Sequence, residues 1–363
     1  SYLCRFIFLP TKLSGYSSLD AEPGFNKVQK FSHVDLQGRS LVTIPITLYA
    51  KSSEIISLNL SRNLSLDVPK DFIQSCINLR EIKFIGNEAA FLPQSFGLAS
   101  RLTYLDVSNN CLEDLDHAGL DRLTGLVSIK MANNQLTKLP SSFGNFQNLR
   151  SLNMSSNGFK VFPDFLCNLK SLVDLDISFN GIEELPNIGR LATLERLWMT
   201  NNNLSGPLDD SFRELVNLKE FDGRFNAISN IDALSSLPRL EQIFFGHNLL
   251  SRFKGSFPRL RSLHLDHCPL THFDVDAPMP TLTSLNLASG KLSQFRDTIF
   301  ENCPNITKLV LDKNHISSVS PQIGRLRRLE HFSMIKNPLS SLPPTLGCLA
   351  ELKHLNLREC NLN

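Results

Sequence analysis

Long apolar runs are missing from this 363-residue chain: none approaches the ~18 residues that a membrane-spanning helix requires. An integral helical membrane protein is therefore not expected. Charge of one sign is also missing, because 37 Lys and Arg stand against 35 Asp and Glu, interspersed along the chain. That balance gives no basic stripe for a phosphate backbone, so no nucleic-acid partner is expected. Paired cysteines are lacking too. The eight cysteines stand singly, with no C-x-x-C, and read as reduced thiols of an intracellular protein rather than a disulfide framework. Five N-x-S/T sequons, at Asn59, Asn63, Asn153, Asn203 and Asn305, point weakly the other way, and a chain rich in Asn-Leu-Ser produces them by accident. Tryptophan occurs once, as Trp198. No G-x-S-x-G, phosphate-binding G-x-x-x-x-G-K-[ST], H-E-x-x-H or paired zinc spacing occurs, so no enzyme, catalytic residue or cofactor is expected within this segment.

What the chain has in abundance is one repeated phrase. "LTYLDVSNNCL" from Leu102, "LVSIKMANNQL" from Leu126 and "LVDLDISFNGI" from Leu172 share the order apolar, x, x, apolar, x, apolar, x, x, Asn, x, apolar. Fifteen copies start at Phe31, Ile55, Leu79, Leu102, Leu126, Leu149, Leu172, Leu194, Leu218, Leu240, Leu260, Leu282, Ile306, Leu329 and Leu352, 20 to 24 residues apart. That spacing and pattern are those of a leucine-rich repeat array. The expected architecture is an α/β solenoid, a horseshoe of about 15 repeats with a parallel sheet on its concave face. Of the 45 residues at the first, fourth and sixth positions only Gly223 is not apolar, so a strand with one buried face is expected in every copy.

The ninth position is Asn in eleven copies, where an inward amide can pair backbone groups that would otherwise be buried alone. Arg39, Cys268, Gly290 and Cys360 depart from it, and looser turns are expected there. Seven copies continue into an apolar-Pro pair, such as Leu139-Pro140 and Leu342-Pro343, which suits an opposite side built of turns and short helical pieces. Residues 1–30 fall outside the repeat and read as a linker or an apolar cap, with the repeat domain covering 31–363 and stopping inside its last copy.

The third, fifth, seventh and eighth positions are expected to face solvent and to be free of framework duty. Those columns are small and polar through Ser151, Asn153, Ser155 and Ser156, then turn aromatic and charged. Lys130, Asp174, Asp176, Arg196, Trp198, Glu220, Asp222, Arg224, Phe244 and His247 form the candidate partner-binding face, since Trp, Tyr and Arg dominate the energetics of protein interfaces. Mutual cover of Trp198 and Phe244 on the sheet is the competing reading. A His/Asp/His set within His247, His264, Asp266, His267, Cys268 and His272 could ligate a metal. With Cys268 turned inward and no supporting partner evident, these are read as ordinary surface histidines, and no metal ligand is assigned.

The run "FSHVDLQGRSLVTIPITLYAKSSEIISLNLSRNLSLDVPKDFIQSCINLREIKFIGNEA", Phe31 to Ala89, with "LASRLTYLDVSNN" and "LKSLVDLDISFN" after it, resembles the leucine-rich repeat region of fungal adenylate cyclases. The off-consensus pieces "DLQGRSL" and "SRNLSLDVP" carry that resemblance, which covers essentially the whole chain. It implies a regulatory segment lying between a Ras-association domain, to which residues 1–30 would be the linker, and a phosphatase-like domain followed by the cyclase. It further implies a GTP-loaded Ras-type small GTPase as partner, with other domains of the same chain as further candidates, and a cytoplasmic place peripheral to the plasma membrane. Cyclic AMP and pyrophosphate would be made from ATP, with magnesium, only in the catalytic domain absent here. Two other functions stay open: an array sensing microbial cell-wall fragments, and a structural spacer.

Overall fold

The computed structural model describes residues 32–235 and 237–363. The linker or cap reading of residues 1–30 lies outside them. Packing divides the chain into two units meeting in sequence at Gly158 and Phe159.

Each repeat contributes a three-residue strand at its third to fifth positions. In the first unit these are His33–Asp35, Ser57–Asn59, Glu81–Lys83, Tyr104–Asp106, Ser128–Lys130 and Ser151–Asn153, paired parallel and in register. In the second unit they are Asp174–Asp176, Arg196–Trp198, Glu220–Asp222, Gln242–Phe244, Ser262–His264, Ser284–Asn286, Lys308–Val310, His331–Ser333 and His354–Asn356, again parallel and in register. The six and nine strands account for all fifteen copies of a leucine-rich repeat solenoid. Strands this short hold because, from the second copy to the fourteenth and Gly223 apart, the first, fourth and sixth side chains go inward, as Leu194, Leu197 and Met199 do at 0% exposure.

The ninth-position asparagines stitch neighbouring turns. Asn202 is buried, donates through Nδ2 to the carbonyls of Ile177 and Met199, and accepts the Ile182 amide on Oδ1. Where Cys268 and Cys360 replace Asn, the thiol still donates, to the carbonyls of Phe245 and Met334 at 3.5 and 3.1 Å. The lone sixth-position glycine also has a cause. A Cβ on Gly223 would stand 3.0 Å from Cζ of Phe221 and 3.1 Å from Cδ2 of Phe245, so two phenylalanine rings fill the space that its missing side chain leaves. Those rings stack with centroids 6.3 Å apart.

Behind the strands, prolines begin short helical turns as expected: Pro140 precedes Ser141–Asn145 and Pro163 precedes Asp164–Asn168. Two α-helices, Lys70–Ser75 and Asp297–Asn302, are longer by one residue. In the second unit two small parallel pairs also form: Ser205–Pro207 with Ala227–Asn230, and Arg252–Gly255 with His272–Val275. All four segments lie in copies that lack the apolar-Pro pair at the fourteenth and fifteenth positions, where they carry Pro207-Leu208, Ile231-Asp232, Phe253-Lys254 and Phe273-Asp274. Phe253 and Gly255, then Phe273 and Val275, alternate inward with exposed neighbours, which is the period of a strand.

Candidate functional site

The side chains available to a partner are those that the strand pleat turns outward. Across the second unit, the fifth-position register places Asp176, Trp198, Asp222, Phe244 and His264 in one row. Trp198 is half-buried between Asp176 and Asp222, and Asp222 separates it from Phe244, so mutual cover of the two rings is not what fixes the tryptophan. Phe244 instead lies 5.1 Å from the His264 ring, with the Arg224 guanidinium 5.7 Å from its centroid.

The fifth position has framework duty after all. In eight repeats an Asp or Asn there (Asp35, Asn59, Asp106, Asn153, Asp176, Asp222, Asn286, Asn356) accepts the backbone N–H two residues on, at 3.0–3.2 Å. Asp176 and Asp222 therefore shape their turns as well as lining the face. Burial pushes the Asp176 carboxyl above its usual range, and the Asp222 charge adds to that.

Both arginines of the candidate face are already engaged. Arg196 donates through Nε to Asp174 Oδ1, and Arg224 grips Asp222 with two parallel bonds, Nε to Oδ1 at 3.0 Å and Nη2 to Oδ2 at 2.7 Å. Their bonds to these carboxylates hold both guanidinium pKa values above the ordinary arginine value. From Asp174 to Arg224 the outward strand columns set two guanidiniums among four carboxylates (Asp174, Asp176, Glu220, Asp222), so this stretch offers little free positive charge. Lys130, in the first unit, lies over the Tyr104 ring at 5.5 Å from its centroid.

The eighth position is a feature that the periodicity of the sequence does not disclose. All fifteen residues there, from Gly38 to Glu359, have left-handed backbone with φ between 52° and 70°. That conformation costs an L-residue roughly 1–2 kcal/mol and suits Gly, Asn or His, so His247 and His267 fit it, yet Phe179 and Phe225 adopt it too. It aims successive side chains the same way at the strand spacing of about 4.8 Å, so flat rings pile up. Phe225 stacks on His247 with centroids 4.2 Å apart and planes 10° apart, and His247 on His267 at 4.1 Å and 9°. Phe225 is 47% exposed and Phe179 54%, which makes them part of the solvent-facing aromatic surface beside Trp198. The aligned eighth column, reading Phe, Asn, Phe, His, His from Phe179 to His267, was the signal that could have found this row.

The histidine-rich stretch divides. Cys268 is buried, its thiol pushed up to about 11 by burial. His272 stands on the separate small sheet, and burial lowers the His264 pKa. His247, Asp266 and His267 come together, with one ligand atom of each lying within 4.8 Å of the others.

Comparison with known proteins agrees with this architecture. The leucine rich repeat profile matches residues 100–159, 280–323 and 304–362, and a second profile of the same kind matches 193–215. The chain is similar to the adenylate cyclase of Podospora anserina, 53% identical over 320 residues, covering 88% of this chain and 15% of that protein. It is similar to that of Neurospora crassa, 55% identical over 261 residues (72% and 11%), and to that of Schizosaccharomyces pombe, 32% identical (85% and 19%). The chain thus spans under one fifth of the length of these relatives. Among solved structures, a Leptospira interrogans leucine-rich repeat protein superposes with a TM-score of 0.83 at 26% identity, covering 92% of this chain and 86% of that one. A Listeria monocytogenes internalin superposes at 0.72 and 19% identity, covering 85% and 88%. No helix among the described residues is long and apolar enough to cross a membrane.

Proposed function

The chain is a leucine-rich repeat region that matches fungal adenylate cyclases over most of its length, and from that premise we propose that it is a regulatory partner-binding segment of such a cyclase. Its partner is a Ras-type small GTPase in the GTP form, engaged through the outward strand face, and the consequence is stimulated cyclic AMP synthesis by a catalytic domain elsewhere in the polypeptide. The observation that carries this reading is the outward aromatic surface of the second unit, exposed Phe179 and Phe225 with half-buried Trp198 and Phe244, framed by the Asp174–Arg196 and Asp222–Arg224 pairs. Such a surface has the composition of an interface centre, with large rigid rings inside a polar surround. The family resemblance supplies the identity of the partner, and Lys130, over the Tyr104 ring, is a separate candidate contact on the first unit's own outward strands.

Because both guanidiniums are committed to carboxylates, affinity rests on buried aromatic area more than on free charge. Association should therefore respond weakly to salt, unlike a charge-steered encounter. The test is capture of GTP- and GDP-loaded Ras by the 363-residue chain, with Arg196→Glu alongside. Selective capture of the GTP form, reduced when Arg196→Glu sets a second acid against Asp174, supports the reading. Equal capture of both forms removes the nucleotide-dependent part. Quenching of Trp198 fluorescence by a cell-wall peptide-saccharide, whatever nucleotide the GTPase holds, would favour the sensing alternative.

A further inference from the structure

We infer that the second unit carries a divalent transition-metal site on its outward face, formed by His247, Asp266 and His267, of the imidazole-and-carboxylate class that takes zinc, nickel or copper(II). Their ligand atoms lie within 4.8 Å of one another. Donors bonded to zinc at about 2.0–2.2 Å stand roughly 3.5 Å apart, so the set closes by side-chain rotation alone.

Three features build the site. The left-handed backbone of His247 and His267, φ 57° and 54°, sends both imidazoles to the same side of adjacent repeats, with ring centroids 4.1 Å apart. Asp266 precedes His267, and its Oδ2 lies 2.9 Å from Nδ1 of that ring, a carboxylate–imidazole contact of the kind that orients histidines at metal centres. Gly246 supplies the cradle. A Cβ there would stand 2.8 and 2.9 Å from the two Asp266 carboxylate oxygens, so the carboxylate rests beside His247 only because this residue has no side chain. That close approach gives Gly246 a purpose at a position where every other copy carries a side chain.

The two rings now lie within 9° of parallel, and an ion in the plane of one is out of the plane of the other. Binding therefore turns one imidazole, and the His267 side chain, 47% exposed, has the solvent space for it. Three protein donors leave at least one coordination position to water or to a donor from a bound partner, as at open zinc sites.

The test is calorimetric titration of the untagged 363-residue chain with Zn²⁺, paralleled by Co²⁺ and its visible absorption. One equivalent is expected to bind, and His247→Ser and His267→Ser each to weaken it at least about 10-fold. Serine already occupies this backbone position at Ser156 and Ser289, so the variants keep the fold, as circular dichroism would verify. Gly246→Ala, which pushes the Asp266 carboxylate aside while keeping all three ligand residues in the chain, is expected to weaken binding about 10-fold, and His272→Ala on the other sheet to leave it unchanged. No saturable binding by the parent chain, or binding undiminished in both serine variants, overturns the assignment.

Discussion

Replacing Asn248 by Ala tests the physical claim on which the whole register rests. Asn248 is 3% exposed, and its Oδ1 accepts the Ile228 amide at 3.1 Å. Its Nδ2 donates to the carbonyls of Gly223 and Phe245 at 2.9 and 3.1 Å. Alanine leaves the buried Ile228 N–H without this acceptor, a loss of about 1–3 kcal/mol. The two carbonyls keep second donors, Asn226 Nδ2 and the Cys268 thiol, so each loses only a net bond of about 0.5–1.5 kcal/mol. The expected cost is about 2–6 kcal/mol for the set, read by chemical denaturation. Amide hydrogen exchange should accelerate at Ile228 before it does in the first unit. Asn248→Cys, which places there the residue found at Cys268, keeps a donor and should cost less. The reasoning is refuted if Asn248→Ala unfolds within about 0.5 kcal/mol of the parent, or if Cys is no better than Ala.

Gly223→Leu, a change toward the sixth-position consensus, should destabilise by about 1–3 kcal/mol, because its side chain meets Phe221 and Phe245. Phe221→Leu in the same chain should recover much of the loss, as a double-mutant cycle in denaturant would show. Asp176→Asn keeps the acceptor for the Ser178 amide, which Asn provides natively at Asn59, Asn153 and Asn286, and removes a carboxyl whose folded pKa is raised by burial. A raised carboxyl binds its proton more tightly folded than unfolded, so the parent loses stability as pH climbs from the unfolded value of about 3.9 through the folded one. The variant should then be the more stable at pH 7, and the gap should close below the ordinary carboxylate range in denaturation at both pH values.

The repeat period made most of the fold legible, because apolar columns and inward asparagines are demanded by burial and by backbone pairing, which act on each copy alike. Trp198 could be placed outward for the same reason. What stayed hidden depends on pairs of residues from different copies. The sequence does not reveal that Arg196 and Arg224 are held by Asp174 and Asp222, nor that Gly223 answers two phenylalanines. Nor does it disclose the left-handed turn at the eighth position, since Phe179, Phe225 and Lys313 are not the residues that such backbone favours. Asp176 and Asp222 look like free surface acids until the turn that they close is seen. The small sheets of the second unit are legible in the alternation through Phe253, Gly255, Phe273 and Val275, which falls outside the columns that define the repeat.

The central claim is that the aromatic face around Trp198 holds a GTP-loaded Ras-type GTPase. The most direct measurement is the dissociation constant of the 363-residue chain for that GTPase in its GTP form, taken for the parent and for Trp198→Ala under identical salt. A ring at the centre of the interface predicts a loss of about 2 kcal/mol or more, roughly 30-fold in affinity, with the denaturation midpoint of the chain little changed. Equal affinity for the two chains would contradict it.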